Sequence, residues 1–582
     1  MNSLLYLNKF FWRYRISIII GGIFILISNL FALYPAEFVR KAFDSVILSI
    51  NNNTQSSYQI SATLLKYGSL IVVFSVLKGV FMYFMRQTII VMSRKIEFDL
   101  KNEIYKQYQN LSMSFYKKNN TGDLMNRISE DVSRVRMYLG PALMYGINIS
   151  ILFYLVINKM FSINSTLSLY VLIPLPILAI TVYFVSDNIN KRSERVQDQL
   201  SKITNISQEN FSGIKIIKSF RSEENTYKLF LNSLKSYTNK QIQLVKIEAV
   251  FFPLIITMIG ASTILTVYIG GMESYKGNIT TGNIAEFIIY VNMLAWPVAS
   301  IGWITSIIQR ASASQTRINN FLLLKPEIQN TIEEHTNING DINFNNVSFT
   351  YENTDIKTLD KISFKIKQGT TFGIFGKTGS GKTTIANLIC RLYDADEGEI
   401  TFGNKNIKNL NLNNLRSYIG YVPQDGYLFS GSITDNISFS DNVTDHERII
   451  AAANKSEMLN EINNFLDGFE TIVGERGVQL SGGQRQRIAI ARTFYKKSEL
   501  LIFDDCLSAI DADKEQKILK NLRKESLGKT SIIISHRIAT LKDSNHIIVV
   551  DSGKIIEQGT HKELLKQKGF YFNIEKSQNS SF

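Results

Sequence analysis

The stretch TTFGIFGKTGSGKTTIANLICRLY, Thr370 to Tyr393, decides the fold of the second half of the chain. Its apolar run up to Phe375 is typical of a buried strand, and the pattern after Thr384 is typical of a helix. The residues between them match G-x-x-x-x-G-K-[ST] in the strand-to-helix context that this pattern requires. The matching residues are Gly376, Lys377, Thr378, Gly379, Ser380, Gly381, Lys382 and Thr383, followed by Thr384. The stretch therefore predicts a loop whose backbone amides surround phosphate oxygens at a helix start.

Two side chains of this loop have predicted tasks in binding a nucleoside triphosphate. Lys382 is expected to reach the β and γ phosphates, and Thr383 is expected to ligate Mg²⁺. From about Asp341 onward, short apolar runs alternate with helical segments. This alternation predicts a three-layer α/β domain around the loop.

A second acidic element supports the nucleotide site. In LLIFDDCLSAID, Leu500 to Asp511, an apolar strand runs straight into two aspartates. Such a strand delivers carboxylates to the carboxyl edge of a parallel sheet. Asp504 is expected to hold Mg²⁺ through water.

Three more side chains are candidates for the same site. Tyr351, in VSFTY, could stack on adenine, and Gln424, in YVPQDGYLF, offers an amide for the metal or the attacking water. His536 ends the strand-like run TSIIISH and is expected to meet a γ phosphate. Each has an ordinary alternative as a surface tyrosine, a loop glutamine or a capping histidine.

Composition narrows the class of protein. The 582 residues carry 64 Lys and Arg against 50 Asp and Glu, and they divide into a strongly apolar first half and a polar remainder. The sequence contains no zinc-ligand spacing and no aromatic and basic ribonucleoprotein pattern, so the excess of cations is better explained by basic flanks of apolar spans than by nucleic acid. Only Cys390 and Cys506 occur, which argues against a disulfide framework and fits a reducing compartment.

Six apolar runs in the first half are each long enough to cross a bilayer, which takes about 20 residues. They lie near Ile16 to Leu33, Leu65 to Met92, Leu139 to Phe161, Leu167 to Val185, Ala249 to Gly270 and Ile284 to Ile308. A buried helix of a soluble protein is the alternative for any one run, and a signal peptide is the alternative for the first. Six runs together, and no clear cleavage site after the first, predict a six-helix membrane domain.

Lysines and arginines predict the orientation of these helices. They are dense in the long connections after the second and fourth runs and sparse in the short connections after the first, third and fifth. By the positive-inside rule, the two long connections and both chain ends face the cytoplasm, which predicts a multi-pass protein of the cytoplasmic membrane. The long connections have amphipathic patterns that extend the membrane helices inward.

Two charges fall inside the predicted spans. Lys78 lies in the second, and Glu286 lies near the outer end of the sixth. Snorkelling to an interface is the simpler expectation for both. The alternative is that Lys78 faces a central cavity and meets an anionic or amphiphilic substrate.

One further motif carries a family resemblance. The run VQLSGGQRQRIAIAR resembles the signature sequence of ATP-binding cassette (ABC) proteins and lies between the phosphate loop and the acidic strand, as it does in that family. The chain as a whole resembles an ABC exporter half-transporter. The resemblance implies an α-helical polytopic membrane domain, residues 1–325, a linker, 326–340, and an α/β P-loop NTPase cassette, 341–582.

What the resemblance implies for function is a dimer that binds two ATP molecules head to tail. The phosphate loop of one subunit then closes on the signature of the other, so that Ser481 and Gly483 act in trans and Asp511 lies at the dimer interface. The signature residues assigned to nucleotide binding are Leu480, Ser481, Gly482, Gly483 and Gln484. ATP and Mg²⁺ are the implied cofactors, and Asp505, His536 and Gln424 are the implied catalytic residues.

Asp505 departs from the family pattern, which places a glutamate there to polarise the attacking water. Aspartate is one methylene shorter, and a misplacement of roughly 1 Å can lower a rate on the order of a hundredfold. This departure resembles the weak-site subunit of asymmetric exporters and favours a heterodimer with a second half-transporter. A homodimer with two slow sites is the alternative.

The sequence predicts ATP-driven export or flipping of a hydrophobic or amphiphilic substrate by alternating access. The absence of a visible amino-terminal peptidase domain disfavours a leader-processing peptide exporter. A regulatory or gating membrane subunit that binds ATP with little hydrolysis is the alternative from another functional class.

Overall fold

The computed structural model describes residues 2–52, 57–330, 332–352, 356–441, 443–474, 477, 479–508 and 510–579. Contacts between residues divide the chain into two compact units. The helical unit comprises Met1–Gln109 and Thr121–Leu324, and the α/β unit comprises Asn110–Asn120 and Lys325–Phe582. The short segment Asn110–Asn120 therefore packs with the α/β unit, although helices of the other unit flank it in sequence.

The first part of the chain is helical throughout. Its helices are α1 Asn8–Arg13, α2 Arg15–Asn52, α3 Ser57–Asn110, α4 Met113–Lys118, α5 Thr121–Asn126, α6 Val132–Met137, α7 Leu143–Ile163, α8 Ser165–Leu172, α9 Pro174–Ser212, α10 Ile214–Ser219, α11 Glu223–Tyr275 and α12 Thr281–Leu322. A 3₁₀ segment, Asn2–Leu7, precedes them, and π-helical turns at Arg127–Asp131 and Tyr138–Ala142 join α5, α6 and α7 into one long rod.

Six helical stretches within the described residues are long and apolar enough to cross a membrane. They are Arg15–Ser49, Tyr58–Asn110, Thr121–Ile163, Ser165–Ser212, Glu223–Tyr275 and Thr281–Leu322. Each of the six predicted apolar runs falls within one of them, so the prediction of six spans is confirmed. The stretches are longer than the runs because α3, α9 and α11 continue as helix into the basic connections, as the amphipathic pattern predicted.

The last of these helices, α12, is the centre of the helical unit. Phe287, Tyr290, Val291, Leu294 and Val298 recur at helical spacing and are all buried. They pack in one cluster with apolar residues of α7, α8 and α9. Of the apolar window of α12, 56% is buried, against 6% for α3, so α12 lies inside the unit and α3 lies at its edge.

The expectation that Glu286 snorkels to an interface is wrong. Its side chain is completely buried, accepts a hydrogen bond from the Tyr290 hydroxyl at 2.8 Å, and lies 3.4 Å from the Arg40 guanidinium of α2. A charge in an apolar helix bundle can stay buried when a partner on a neighbouring helix compensates it, and Arg40 is that partner. Lys78 is exposed on α3, and its role in substrate contact stays a prediction.

The α/β unit contains two main sheets. Its strands are β1 Ile342–Thr350, β2 Lys357–Ile366, β3 Thr371–Gly376, β4 Glu397–Phe402, β5 Lys405–Asn406, β6 Ile419–Val422, β7 Gly431–Ser432, β8 Ile472–Val473, β9 Leu500–Asp504, β10 Thr530–Ser535, β11 His546–Asp551 and β12 Lys554–Gly559. An antiparallel sheet has the order β2-β1-β4-β5, and a six-stranded sheet has the order β12-β11-β3-β10-β9-β6. β7 and β8 form a separate small pair.

Helices flank these sheets, as the alternation of patterns predicted. They are α13 Lys382–Ile389, α14 Leu412–Tyr418, α15 Ile433–Ile437, α16 His446–Lys455, α17 Leu459–Asn463, α18 Gly482–Tyr495, α19 Ala512–Glu525, α20 Ile538–Leu541, α21 His561–Gln567 and α22 Phe570–Asn579. Strands β3, β10, β9 and β6 are parallel neighbours, so their carboxyl ends meet at one edge. A ligand site is expected at this edge.

Candidate nucleotide site

The carboxyl ends of four neighbouring strands bring the predicted site residues to one edge of the sheet. The phosphate loop follows β3, Asp504 ends β9 and Asp505 follows it, His536 follows β10, and Gln424 follows β6. Strand β9 is buried along its whole length, so the chain leaves the core where Asp504 and Asp505 stand. The order of the strands alone therefore gathers residues that are far apart in the sequence.

The phosphate loop needs glycine at two positions for different reasons. Gly381 has a φ of +102°, and a Cβ there would lie 2.7 Å from the Thr358 carbonyl oxygen. At Gly376 a Cβ would lie 2.3 Å from the Val550 carbonyl oxygen. Side chains at these positions would push the loop away from β2 and β11, so the glycines let it close tightly over the sheet edge.

Lys382 is the buried cation of this loop. Its ammonium donates to the carbonyl oxygens of Gly376 at 2.8 Å and Lys377 at 2.7 Å. Burial lowers the pKa of Lys382, and the nearby charges of Asp505 and Asp504 act against that lowering. A buried ammonium held by loop carbonyls is positioned to exchange them for an anionic ligand.

Ser380 carries an orphaned polar atom in the same loop. Its hydroxyl is buried and has no hydrogen-bond partner in the part of the chain that the structure describes. Buried polar groups are nearly always hydrogen-bonded, so an unpartnered one calls for an explanation. A phosphate oxygen in the loop would supply the missing partner.

Asp504 contacts the phosphate loop directly. Its carboxylate accepts from the Thr383 hydroxyl at 3.2 Å and from the Tyr421 hydroxyl at 3.2 Å. Burial raises the pKa of Asp504, and these two hydrogen bonds oppose the rise. Burial also raises the pKa of Tyr421, and the adjacent Asp504 adds to it, so the tyrosine stays a neutral donor.

Asp505 has an unusual backbone conformation and a histidine partner. Its φ of +44° is in the left-handed region, and its N–H donates to the Ile534 carbonyl oxygen at 2.9 Å. Its two carboxylate oxygens lie 3.0 and 2.9 Å from Nδ1 of His536. The strained turn therefore directs the second carboxylate toward the histidine, while the first points to the phosphate loop.

Tyr351 lies beside the first turn of α13. Its hydroxyl is 3.2 Å from the Thr384 hydroxyl, and its ring meets Tyr393 edge to face at 5.4 Å between centroids. The ammonium of Lys117, in α4, lies 4.0 Å from the centroid of the Tyr351 ring. A cavity of about 440 Å³ adjoins these aromatic rings and is large enough for a purine base.

Gln424 is placed at the edge of the site by its main chain. Its side chain is exposed, and its carbonyl oxygen accepts from Gln486 at 3.1 Å. Gln486 belongs to α18, the helix that begins with the signature residues. The loop that carries Gln424 is therefore hydrogen-bonded to α18, while the side-chain amide of Gln424 is accessible to solvent.

The signature residues form the start of helix α18. Ser481 caps this helix: its hydroxyl accepts from the Gln484 N–H at 3.2 Å, and its own N–H donates to the Gln484 side-chain oxygen at 2.8 Å. This is a capping box, which S-x-x-Q predicts. Leu480 is buried and anchors the turn, whereas Ser481 and Gly482 are exposed and Gly483 is half-buried. Asp511, the cap residue of α19, is also exposed.

Two residues at the site were not predicted from the sequence. Tyr421 donates to Asp504, and its only sequence signal is an apolar strand with one tyrosine facing the site. Glu461, in α17, accepts hydrogen bonds from Gln484 at 3.0 Å and from both terminal nitrogens of Arg487 at 2.8 and 2.9 Å. Lys514 donates to the same carboxylate at 2.5 Å. No local motif points to Glu461, because its partners lie more than 20 residues away.

The donor set for a metal is small. No group of three or more His, Cys, Asp and Glu side chains that could hold a metal ion is present among the described residues. A hydroxyl and a carboxylate, those of Thr383 and Asp504, are the oxygen donors that meet beside the phosphate loop. Magnesium prefers this kind of sparse oxygen site because it keeps several waters and uses substrate phosphates as ligands.

The fold and the site together define a class: a membrane protein of six long apolar helices joined to an α/β domain with a nucleotide-phosphate loop. The family description "ABC transporter transmembrane region" matches residues 18–298, and "ABC transporter" matches residues 359–508. The chain belongs to the ABC transporter family, as an exporter-type half-transporter.

Individual relatives match over nearly the full chain. A probable multidrug resistance ABC transporter ATP-binding/permease protein of Bacillus subtilis is 32% identical over 567 residues, which covers 97% of this chain and 95% of the relative. An ATP-dependent lipid A-core flippase of Shewanella oneidensis is 30% identical, covering 99% of this chain and 97% of the relative. The solved structure of a bacterial Atm1-family ABC exporter with ATP bound has a TM-score of 0.79 at 23% identity and covers 98% of both chains.

These comparisons confirm several predictions from the sequence. The chain is a multi-pass integral membrane protein with an ATP-binding domain, and it is an ATPase that couples hydrolysis to export. The predicted fold class, a polytopic helical domain plus an α/β P-loop NTPase, is confirmed as well. Membership of this family also indicates a dimer.

Proposed function

We propose that the edge of the β3-β10-β9-β6 sheet binds MgATP and that its hydrolysis drives export of a hydrophobic or amphiphilic substrate. The observation that carries this proposal is the contact between the Thr383 hydroxyl and the Asp504 carboxylate, 3.2 Å apart, beside the buried ammonium of Lys382. The Ser380 hydroxyl in the same loop, which has no hydrogen-bond partner among the described residues, supports it.

Phosphate binding would exchange one set of partners for another. Lys382 would leave the carbonyl oxygens of Gly376 and Lys377 and contact the β and γ phosphates. The backbone N–H groups of the loop, from Thr378 to Thr384, would surround the phosphate oxygens at the start of α13. Tyr351 would stack on the adenine ring, which the neighbouring cavity can accommodate.

Magnesium would be held by Thr383 and Asp504, with the exposed amide of Gln424 as a third donor. Held there, the ion would supply positive charge that offsets the negative charge of the phosphates. The raised pKa of Asp504 is consistent with a cation-binding carboxylate. A bound cation would lower this pKa toward its ordinary value.

Asp505 and His536 would act on the attacking water and the γ phosphate. Asp505 would accept a hydrogen bond from the water and orient it in line with the terminal phosphorus. The Nδ1 atom of His536 faces Asp505, so its Nε2 atom is the one that would contact the γ phosphate. The short aspartate predicts slow hydrolysis at this site and unimpaired binding.

A second half-transporter would complete each nucleotide site. Ser481 and Gly483 of one subunit would contact the γ phosphate held by the other, and Asp511 would lie at the interface between them. The exposure of Ser481, Gly482 and Asp511 supports this assignment. We favour a heterodimer, in which the intact signature of this chain serves an efficient site on the partner, because Asp505 weakens its own site.

The orientation and the substrate class follow from the same proposal. The α/β unit and both chain ends would lie in the cytoplasm, as the positive-inside rule predicts for the basic connections. ATP would favour the closed pair of cassettes, and hydrolysis would let them separate, which alternates an inward-open and an outward-open cavity. The names of the relatives, a multidrug resistance transporter and a lipid A-core flippase, support an amphiphilic substrate or a lipid.

Flux into inside-out vesicles tests the proposal. MgATP-dependent accumulation of a hydrophobic cationic dye, or translocation of a labelled lipid, is expected with the wild-type chain and is expected to vanish in Lys382→Ala. Tight ATP binding without flux, with every candidate partner half-transporter present, would instead support a regulatory or gating subunit.

A further inference from the structure

Glu461 joins three elements of the α/β unit through one carboxylate. Its Oε1 atom accepts from Arg487 at 2.8 Å and from Lys514 at 2.5 Å, and its Oε2 atom accepts from Arg487 at 2.9 Å and from Gln484 at 3.0 Å. The pair with Arg487 is bidentate, and Arg487 is buried. Helices α17, α18 and α19 therefore meet at a single anion.

The contact to Gln484 fixes the conformation of the signature. The amide of Gln484 donates to Glu461 with its nitrogen, so its oxygen must face the Ser481 N–H, from which it accepts at 2.8 Å. Arg487 also donates to the Gly483 carbonyl oxygen at 3.3 Å. The carboxylate thus determines which way the capping box closes and where the exposed Ser481 hydroxyl points.

The contact to Lys514 extends this control to the segment after Asp511. Lys514 is in the first turn of α19, whose cap residue is Asp511. The ammonium is half-exposed, whereas Arg487 is almost completely enclosed, so the two contacts have different environments. Ser481 is therefore linked to Glu461 through the Gln484 side chain, and Asp511 lies three residues before Lys514 at the start of α19.

We propose that Glu461 is a positioning residue that holds the signature and the start of α19 in one fixed geometry, so that both reach the partner's nucleotide together. The inference rests on the proposed function, in which these elements act in trans. It assigns Glu461 no contact with ATP, and its effect is on closure of the dimer and on turnover.

The measurement separates turnover from binding in the full-length protein in lipid nanodiscs. Glu461→Gln is expected to lower kcat for ATP about tenfold, because the neutral amide cannot hold Arg487, Gln484 and Lys514 at once. The dissociation constant for a fluorescent ATP analogue, measured without Mg²⁺ so that turnover is absent, is expected to stay within about twofold of wild type. Lys514→Met is expected to lower kcat less, since the signature keeps its two other contacts.

Two control variants make the outcome decisive. Glu525→Gln removes a 2.6 Å ion pair with Lys455 that also ties α19 to its neighbours but does not touch the signature. It is expected to leave kcat unchanged. The inference is overturned if Glu461→Gln has wild-type kcat, or if Glu525→Gln lowers kcat as much. Lys382→Ala tests the proposed site itself: if that variant of this chain binds the fluorescent ATP analogue as tightly as wild type, the nucleotide assignment fails instead.

A second inference comes from an independent set of contacts in the helical unit. Near the start of α12, charged side chains of three helices meet. Glu37 of α2 lies 3.3 Å from Lys159 of α7, and Arg40 of α2 lies 3.4 Å from the buried Glu286 of α12. Lys41 adds a 2.9 Å ion pair with Glu37. We call these five side chains the outer cluster.

The backbone of α12 approaches α2 closely at the same place. Asp44 accepts from the Gly282 N–H at 3.1 Å and from the Thr280 hydroxyl at 3.0 Å, at the positive start of α12. A Cβ on Gly282 would lie 2.5 Å from the Asp44 carboxylate and 2.6 Å from the Arg40 carbonyl oxygen. Only glycine permits this close approach. The hydrogen bonds to Asp44 and the ion pair of Arg40 with Glu286 then hold α12 against α2.

We infer that the outer cluster is a latch that keeps this end of the bundle closed and must break when the cavity opens there. The Glu286 carboxylate is completely buried, so separating α2 from α12 would leave that charge without its partner Arg40. The latch rests on the proposed alternating access but on none of the nucleotide-site assignments.

Spin-label distances in nanodiscs test the latch. Labels at the exposed positions Leu48 of α2 and Asn292 of α12, with labelled chains diluted in unlabelled ones, report separation of the two helices within one chain. Glu286→Gln keeps the hydrogen bond from Tyr290 but removes the charge that Arg40 needs. It is expected to raise the ratio of long to short distances without nucleotide about tenfold.

Gly282→Ala is expected to act in the same direction, because its methyl group collides with Asp44. Gly271→Ala is the matched control: it adds a methyl group to α11 where no atom of the described residues lies within 4 Å, and it should leave the distances unchanged. Wild-type distance distributions in both Glu286→Gln and Gly282→Ala would overturn the latch.

Discussion

Replacement of Asp505 by glutamate is expected to raise the rate of ATP hydrolysis at this chain's own nucleotide site 10- to 100-fold. The added methylene advances the carboxylate by roughly 1 to 1.5 Å along the side chain. A misplacement of about 1 Å in a group that orients a nucleophile changes the rate by on the order of a hundredfold, or about 2.7 kcal/mol of barrier. The apparent KM for ATP should change little, because Asp505 does not hold the phosphates.

The lower bound of this range comes from the structure around Asp505. Its carboxylate lies 2.9 Å from His536, and its φ is +44°. Short polar side chains such as aspartate tolerate the left-handed region better than glutamate does, so the longer residue adds strain of about 1 kcal/mol. To approach the water, the glutamate would also have to give up the contact that Asp505 makes with His536. This loss reduces the expected gain in rate.

The assay is phosphate release by the purified full-length chain, first alone and then with each candidate partner. A large gain in the chain alone favours a homodimer with two slow sites. A gain that appears only with the partner favours the asymmetric assembly. A heterodimer that already hydrolyses ATP fast and gains little from the substitution favours it as well. An unchanged or lower kcat in every combination would refute the idea that the missing methylene limits hydrolysis, and Asp505→Asn, expected to be slower than wild type, shows that the carboxylate takes part.

Tyr351→Ala is expected to weaken ATP binding about 5- to 150-fold through loss of base stacking, which is worth about 1 to 3 kcal/mol, and to leave tripolyphosphate binding unchanged; equal losses for both ligands would contradict the stacking role. Lys382→Ala is expected to weaken the binding of both ATP and tripolyphosphate. Competition with a fluorescent ATP analogue measures both affinities. Burial raises the pKa of Asp504, so the loss of metal-dependent turnover on acidification should begin at a higher pH than an ordinary aspartate would give. Excess Mg²⁺ should shift this acid-side fall of the pH profile to lower pH. Hydrogen bonds from Arg487 and Lys514 overcome burial and hold the pKa of Glu461 at about 2, below the ordinary 4.5. Its contribution to stability is therefore complete above pH 4.5 and lost as the pH falls toward 2, which the difference in melting temperature between wild type and Glu461→Gln should follow.

The sequence predicted the phosphate loop and its surroundings because the information there is local. Gly376 to Thr383 connect a strand to a helix, and a carbonyl oxygen lies within 3 Å of where a Cβ of Gly376 or Gly381 would be. The aspartates at the end of β9 were predictable for a similar reason, since an apolar strand of five buried residues places whatever follows it at the sheet edge. The six spans required only composition over about 20 residues.

Contacts between distant parts of the chain were not predictable in this way. Tyr421 reaches Asp504 across 83 residues, and Glu461 reaches Arg487 across 26. Each occupies an element whose own pattern is satisfied without the contact: Tyr421 fits a strand, and Glu461 fits the exposed face of a short helix. Periodicity shows which face of an element is buried, but it does not show which element packs against it.

Glu286 shows the same limit in the membrane part, and it shows why a rule of thumb failed. A charge near the end of an apolar span can reach an interface, so snorkelling was the simpler expectation for a single helix. The outcome depended on α2, where Arg40 lies beyond the apolar run and pairs with Glu286 of α12. A buried carboxylate is stable only while its partner stays in place, so the same pair that explains the burial of Glu286 also resists separation of α2 from α12. A bundle that must open at that end for each transport cycle therefore has to break this pair every time, and its strength sets part of the barrier between the two states of the cavity.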